Sequence, residues 1–209
     1  MKNKDKRLNI DKEESLAEVK PGESVRKSIL AYIHDFVWLL AGVLLIFSLL
    51  FRMVVVSGPS MNNTLMDGDW ILLLGNVLYT EPQYGDVVVA SKESFKNGEP
   101  IIKRVIATEG QTVDIDFSAG IVYVDGSALE EPYTLTKTTI MEGVKFPITV
   151  DEGCVFVMGD NRDNSKDSRS TEIGLIDCRE ILGKAIFILY PGTNFDSVPR
   201  DFGRIGVLW

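Results

Sequence analysis

Along this chain the apolar positions follow two regimes. Residues 36–56 read FVWLLAGVLLIFSLLFRMVVV, apolar on every helical face, with Arg52 as the only charge. A helix of this length matches the roughly 20 residues that a bilayer core requires, and Phe36 and Trp38 near its start suit a membrane interface. A secretory signal would have a shorter apolar part nearer the N-terminus and a small-x-small cleavage site, and against the other alternative, a buried core helix, the all-round apolar faces with Phe36 and Trp38 near the start favour a span. A transmembrane anchor over 36–56 is therefore predicted. Beyond it the pattern shifts to short β-rich runs punctuated by Gly, Pro, Asn and Asp, which predict strands over 70–74, 86–90, 101–108, 112–117, 120–124, 150–158 and 181–190. Asp125-Gly126 is a hairpin-type turn signal. The predicted fold is mainly β: one N-terminal transmembrane helix, then a catalytic-sized domain of folded antiparallel sheets over 57–209 with a smaller β insertion at about 110–150. A conventional sandwich is the other β architecture the pattern allows.

Charge sets the expected orientation. Residues 1–35 carry eight Lys/Arg against seven Asp/Glu and few aromatics, the composition of a poorly ordered segment. Lys20, Arg26 and Lys27 precede the span, whereas Arg52 is the only basic residue near its far end before Lys92. The positive-inside rule then keeps 1–35 in the cytoplasm and places 57–209 outside. That outer part holds 13 Lys/Arg against 23 Asp/Glu, a balance that argues against nucleic acid as a partner. Cys154 and Cys178 are the only cysteines. A disulfide and two buried thiols are both compatible with the sequence.

Three stretches carry candidate chemistry. Residues 159–169, GDNRDNSKDSR, interrupt an apolar strand with three aspartates, two arginines, one lysine and two serines, a composition suited either to interlocking ion pairs at a site or to a solvated turn. Just past the span, Gly58-Pro59 forces a turn that presents the Ser60 hydroxyl at a corner. A serine needs a base to become a nucleophile. The only histidine, His34, lies before the span, so neither a Ser-His-Asp triad nor a Cys-His pair can be assembled. A lysine can serve instead when burial keeps it neutral. Lys103, on one strand face with Ile101 and Val105 while Ile102, Arg104 and Ile106 take the other, meets that need, and an edge-strand lysine is the competing role.

Together, Ser60-Met61 beyond a single N-terminal span, Lys103-Arg104-Val105-Ile106-Ala107, and residues 159–169 resemble the type I signal peptidases of bacteria. Members of that family are membrane-anchored serine endopeptidases that remove signal peptides from exported preproteins. The resemblance implies Ser60 as nucleophile and Lys103 as general base. Ser165 would hydrogen-bond and orient the lysine amine, Asp167 and Arg169 would brace the loop as an ion pair, and Arg104 with Asp160 would support the site. The Ser60 N–H would stabilise the oxyanion. Some members add a serine hydroxyl at the position of Gly58, which this chain lacks. Substrates with small residues at positions −1 and −3, a lipid bilayer partner and no metal or organic cofactor are further implications.

Two departures from the family pattern stand out, Asn63 where proline is usual and Glu109-Gly110-Gln111 where Pro-Gly-Asp is usual. Both affect turns. Met61, Met66, Trp70 and the run over 71–74 are expected to form core or an apolar surface that meets lipid and receives the peptide. Two other functions compete. A self-cleaving LexA-like repressor shares the dyad logic but needs a soluble DNA-binding segment, and a non-catalytic relative would bind signal peptides or assist pilin or surface-protein assembly.

Overall fold

The computed structural model describes residues 21–93, 95–193 and 199–208. Residues 1–20 of the expected cytoplasmic segment lie outside them. The chain divides into two units, residues 1–47 and 48–209. Most of the first unit's described part belongs to α1 (Pro21–Leu50), within which Val25–Leu50 is long and apolar enough to cross a membrane and has no buried segment. An all-round apolar, unburied helix has no soluble packing partner to explain its composition.

The helix ends earlier than the apolar run does. Residues 51–56 were expected to complete the span, yet Phe51–Val55 form β1, paired antiparallel with β2 (Trp70–Gly75) from Phe51↔Leu74 to Val55↔Trp70. Hydropathy does not distinguish the last turn of an apolar helix from an apolar strand. A β-branched Val54-Val55-Val56 segment with a complementary strand to pair with settles it as sheet. Arg52 is thus an exposed strand residue.

The remaining strands are β3 (Val87–Ala90), β4 (Ile101–Thr108), β5 (Thr112–Asp116), β6 (Ile121–Val124), β7 (Ser127–Ala128), β8 (Ile148–Thr149), β9 (Cys154–Met158), β10 (Ile176–Asp177), β11 (Ile181–Tyr190) and β12 (Gly206–Val207). All described pairings are antiparallel. An eight-stranded sheet runs β1-β2-β11-β3-β4-β9-β10, with β12 also on β11, and a four-stranded sheet runs β7-β6-β5-β8. The mainly β expectation holds, and two sheets of unequal size replace a conventional sandwich. The β6–β7 hairpin turns at Asp125-Gly126, both with positive φ (51° and 78°), the backbone that favours these residue types.

Three apolar clusters form the core. One joins Met61, Leu65, Ile71 and Leu73 to Val87 and Val89; a second joins Val88 and Val105 to Val155, Val157 and Ile176; the third packs Ile106, Phe156 and Met158 against β5 and β6. β4 contributes to all of them because it lies inside the sheet between β3 and β9. Lys103 is therefore not an edge lysine. Cys154 and Cys178 are free thiols packed on different clusters.

Candidate active site

Two neighbouring side chains of an interior strand point to opposite faces, so Lys103 and Arg104 of β4 meet different surroundings. Lys103, 4% exposed, brings its Nζ to 2.9 Å from Ser60 Oγ and donates to the Ile102 carbonyl at 2.9 Å. Desolvation lowers its pKa to about 8, against the opposing pull of Asp167, Asp160 and Glu142 and with help from Arg169. Arg104 instead grips Asp160 with two hydrogen bonds of 2.9 and 2.7 Å, donates to Gly85 O, and stacks 4.1 Å from the Tyr133 ring. Neither partner of that ion pair is more than 3% exposed.

The turn that carries Ser60 is held from both sides. Ser60 O accepts from the Asn161 N–H at 3.0 Å, and Pro59 O accepts from Asn161 Nδ2 at 3.1 Å. Four residues on, the Thr64 hydroxyl donates to Asp160 and also accepts from Arg104. Asp160 thus ties β4, the polar loop and the nucleophile turn into one unit. Asn161 and Thr64 had no role in the sequence reading. Asn161 sits in the polar run, where its neighbour Asp160 was the signal; Thr64 carried none.

Residues 159–169 leave the end of β9 and curl through a short 3-10 turn over Arg162–Asn164. Asp167, fully buried, is the hub: it pairs with Arg169 through two hydrogen bonds of 2.8 and 2.9 Å and accepts from the Gly159 N–H and the Ser165 hydroxyl. Arg169 also donates to the carbonyls of Arg162, Ser165 and Ile140. Buried charges persist only with such complete pairing. Arg162 pairs with Glu131 and reaches Thr138. One implied contact differs. Among the described residues Ser165 donates to Asp167 and makes no hydrogen bond to Lys103, because a buried carboxylate two positions along is the stronger acceptor.

Gly159 has a steric role. A Cβ there would lie 2.5 Å from Ser60 O and collide with the Ser165 side chain, so the loop and the nucleophile turn touch only because this residue is glycine. Gly58 has φ +90° and donates its N–H to Asp67 at 2.7 Å. Among the described residues nothing accepts the Ser60 N–H. Met61 is core, 1% exposed, yet its edge reaches a groove of about 500 Å³ that Gly58, Ser60, Ile101, Ile102 and Lys103 also line. Ile71 and Leu73 are core as well, whereas Trp70 is 47% exposed.

The two departures have local explanations where the structure gives contacts. Glu109 accepts from the Gly153 N–H at 2.8 Å, and the Gln111 side chain accepts from the backbone and hydroxyl of Thr108, so this turn is closed by its own side chains without proline. Nothing in the structure explains the choice of Asn63. His34 has its partners, Asp35 and Trp38, on its own helix. Among the described residues no three or more His, Cys, Asp or Glu side chains gather as a metal would require.

Residues 29–190 match the family described as signal peptidase, peptidase S26. The chain is 37% identical over 156 residues to signal peptidase I of Bacillus licheniformis, covering 71% of this chain and 81% of that protein. It is 34% identical over 179 residues to signal peptidase I S of Bacillus subtilis, covering 80% and 92%. A crystal structure of a signal peptidase I from Enterococcus faecalis aligns at 30% identity and a TM-score of 0.41 over 50% of this chain and 96% of that one. On the extent of the family match and of these relatives, the chain belongs to the signal peptidase family, peptidase S26.

Proposed function

We propose that this protein cleaves signal peptides from exported preproteins with a Ser60–Lys103 dyad. The observation that carries the reading is the 2.9 Å approach of a buried lysine amine to a serine hydroxyl. Lowering the lysine from an ordinary value to about 8 makes roughly a tenth of it neutral at pH 7, against roughly three parts in ten thousand for a solvated lysine. The neutral amine keeps one N–H on Ile102 O, which aims its lone pair at the Ser60 hydroxyl.

Lys103 takes the Ser60 proton as Ser60 Oγ attacks the carbonyl carbon of the residue at −1. The tetrahedral oxyanion falls to the Ser60 N–H. Lys103 then returns the proton to the leaving amine, the mature protein departs, and an ester links Ser60 to the signal peptide. Water deprotonated by the same amine hydrolyses it. The Gly58 N–H is committed to Asp67 and offers no second donor. Positions −1 and −3 with small side chains would occupy the groove beside Ser60. The helix would anchor the protein in the cytoplasmic membrane, N-terminus inside and peptidase domain outside, on the charge asymmetry around the span. No observation favours a non-catalytic role.

The test is processing of a preprotein with an Ala-x-Ala site by the full chain and by Ser60→Ala and Lys103→Ala. Both substitutions should abolish cleavage, and the wild-type rate should rise with pH through about 8. Undiminished processing by either variant would overturn the dyad.

A further inference from the structure

The segment between β7 and β8 crosses the polar loop as a strap, and alternate positions of it, Glu131, Tyr133 and Leu135, meet the loop just behind Ser60. Glu131 accepts from both ends of the Arg162 guanidinium, at 2.8 and 2.5 Å, and neither side chain is more than 10% exposed. Arg162 Nε donates in turn to Gly159 O at 3.0 Å. Tyr133 donates its hydroxyl to Glu131 at 3.0 Å and lays its ring on Arg104, the partner of Asp160. The Leu135 N–H donates to Asp160 O at 2.9 Å. Glu131, Arg162, Gly159, Asp160, Arg104 and Tyr133 thus close a ring of contacts around the Gly159–Asp160 peptide.

Residues 159–162 form the bracket behind Ser60. The Asn161 N–H donates to Ser60 O at 3.0 Å, and a Cβ on Gly159 would lie 2.5 Å from the same oxygen, so two backbone positions of the bracket bear on one carbonyl. Arg162 anchors its far end, and a guanidinium this buried keeps its place only with a counter-charge. We propose that Glu131 is a positioning residue for Ser60: by fixing Arg162 it holds Gly159 and Asn161 against the Ser60 carbonyl, and with them the hydroxyl at 2.9 Å from Lys103. The proposal rests on the Ser60–Lys103 reading. The Glu131 carboxylate bonds Arg162 and Tyr133, so it acts on Ser60 through the bracket and bears on turnover more than on substrate binding.

The experiment is steady-state cleavage of a preprotein with an Ala-x-Ala site by the full chain and by Glu131→Ala and Glu131→Gln, with Ser60→Ala and Lys103→Ala as controls. Thermal unfolding of the same samples gives the folded fraction, so that kcat is taken per folded molecule. Glu131→Ala should lower kcat about tenfold with KM changed by less than about twofold, the loss for a displacement of about half an ångström at the nucleophile. Glu131→Gln keeps an acceptor for one Arg162 N–H and should fall only about threefold. A merely structural acid would lower the unfolding temperature and leave kcat per folded molecule at the wild-type value; that result, or a raised KM with unchanged kcat, would overturn the proposal. Should Glu131→Ala fold poorly, Glu131→Gln decides on the same outcomes. If both controls are inactive and kcat holds in the Glu131 variants, Glu131 alone is wrong. If a control still cleaves, the dyad itself is wrong.

Discussion

A lysine enclosed by sheet neighbours is a cost to the fold, one that the base role proposed for Lys103 explains. In the unfolded chain Lys103 titrates near an ordinary lysine value of about 10.4, whereas in the fold it titrates at about 8. Between those values the unfolded state binds more protons, so the penalty is full below about pH 8 and fades as pH rises toward about 10.4. Replacing Lys103 by Met, similar in length and uncharged, should therefore stabilise the inactive protein below pH 8, by something on the order of 3 kcal/mol. The gain should shrink across pH 8 to 10. Denaturant unfolding of both forms at several pH values checks this; a Met variant less stable than wild type at pH 7 would contradict it. The need for a lysine was legible in the sequence, since a serine in a turn and no histidine beyond the apolar run leave lysine as the candidate base, and the resemblance points to Lys103. Ser165 was less legible, because only the folded loop reveals Asp167 as the nearer acceptor.

At the level of elements, the polar run after β9 is a side-chain network in place of a hydrophobic core. The Arg169–Asp167 pair braces the loop internally, Asp160 ties it to Arg104 of β4, and the Ser168 hydroxyl, which accepts from the Val157 N–H, returns it to the strand it left. Beside the Asn161 hydrogen bonds, the loop meets the Ser60 turn through a close approach at Gly159. Gly159→Ala should push Ser60 O away and displace Oγ from Lys103. A displacement of about an ångström at a preorganised nucleophile lowers kcat by about a hundredfold. Steady-state kinetics should show that fall in kcat with a smaller change in KM. A variant with wild-type kcat would mean that the close approach at Gly159 does not position Ser60. The charge density of residues 159–169 marked this element in the sequence. The role of its least conspicuous member, a glycine, depends on which backbone lies opposite, and that is decided across 98 intervening positions of chain.

Over the whole molecule, the chain beyond the family match also supports the site. Arg204, just before β12, pairs with fully buried Asp69 and donates to Thr64 O at the end of the nucleophile turn. Asp69 in turn accepts from the Met66 and Gly192 N–H groups. Arg204→Ala should lower stability by about 2–3 kcal/mol, because it leaves a buried carboxylate without its cation, and should reduce activity with it. Thermal unfolding and cleavage assays on the same samples check both effects. Read alone, the sequence determines the long apolar helix, most of the strands and the β class, because these follow from local hydropathy and periodicity, whereas the serine, the lysine and the polar loop came together as one expected site only through the family resemblance. Only the tertiary structure decides that residues 51–55 are sheet, that β4 is interior and can desolvate Lys103, and that Asp160 and Arg204 each join segments far apart in the chain. The physical reason is common to all three. A strand's neighbours and a buried charge's partner are set by long-range pairing, which no local pattern encodes.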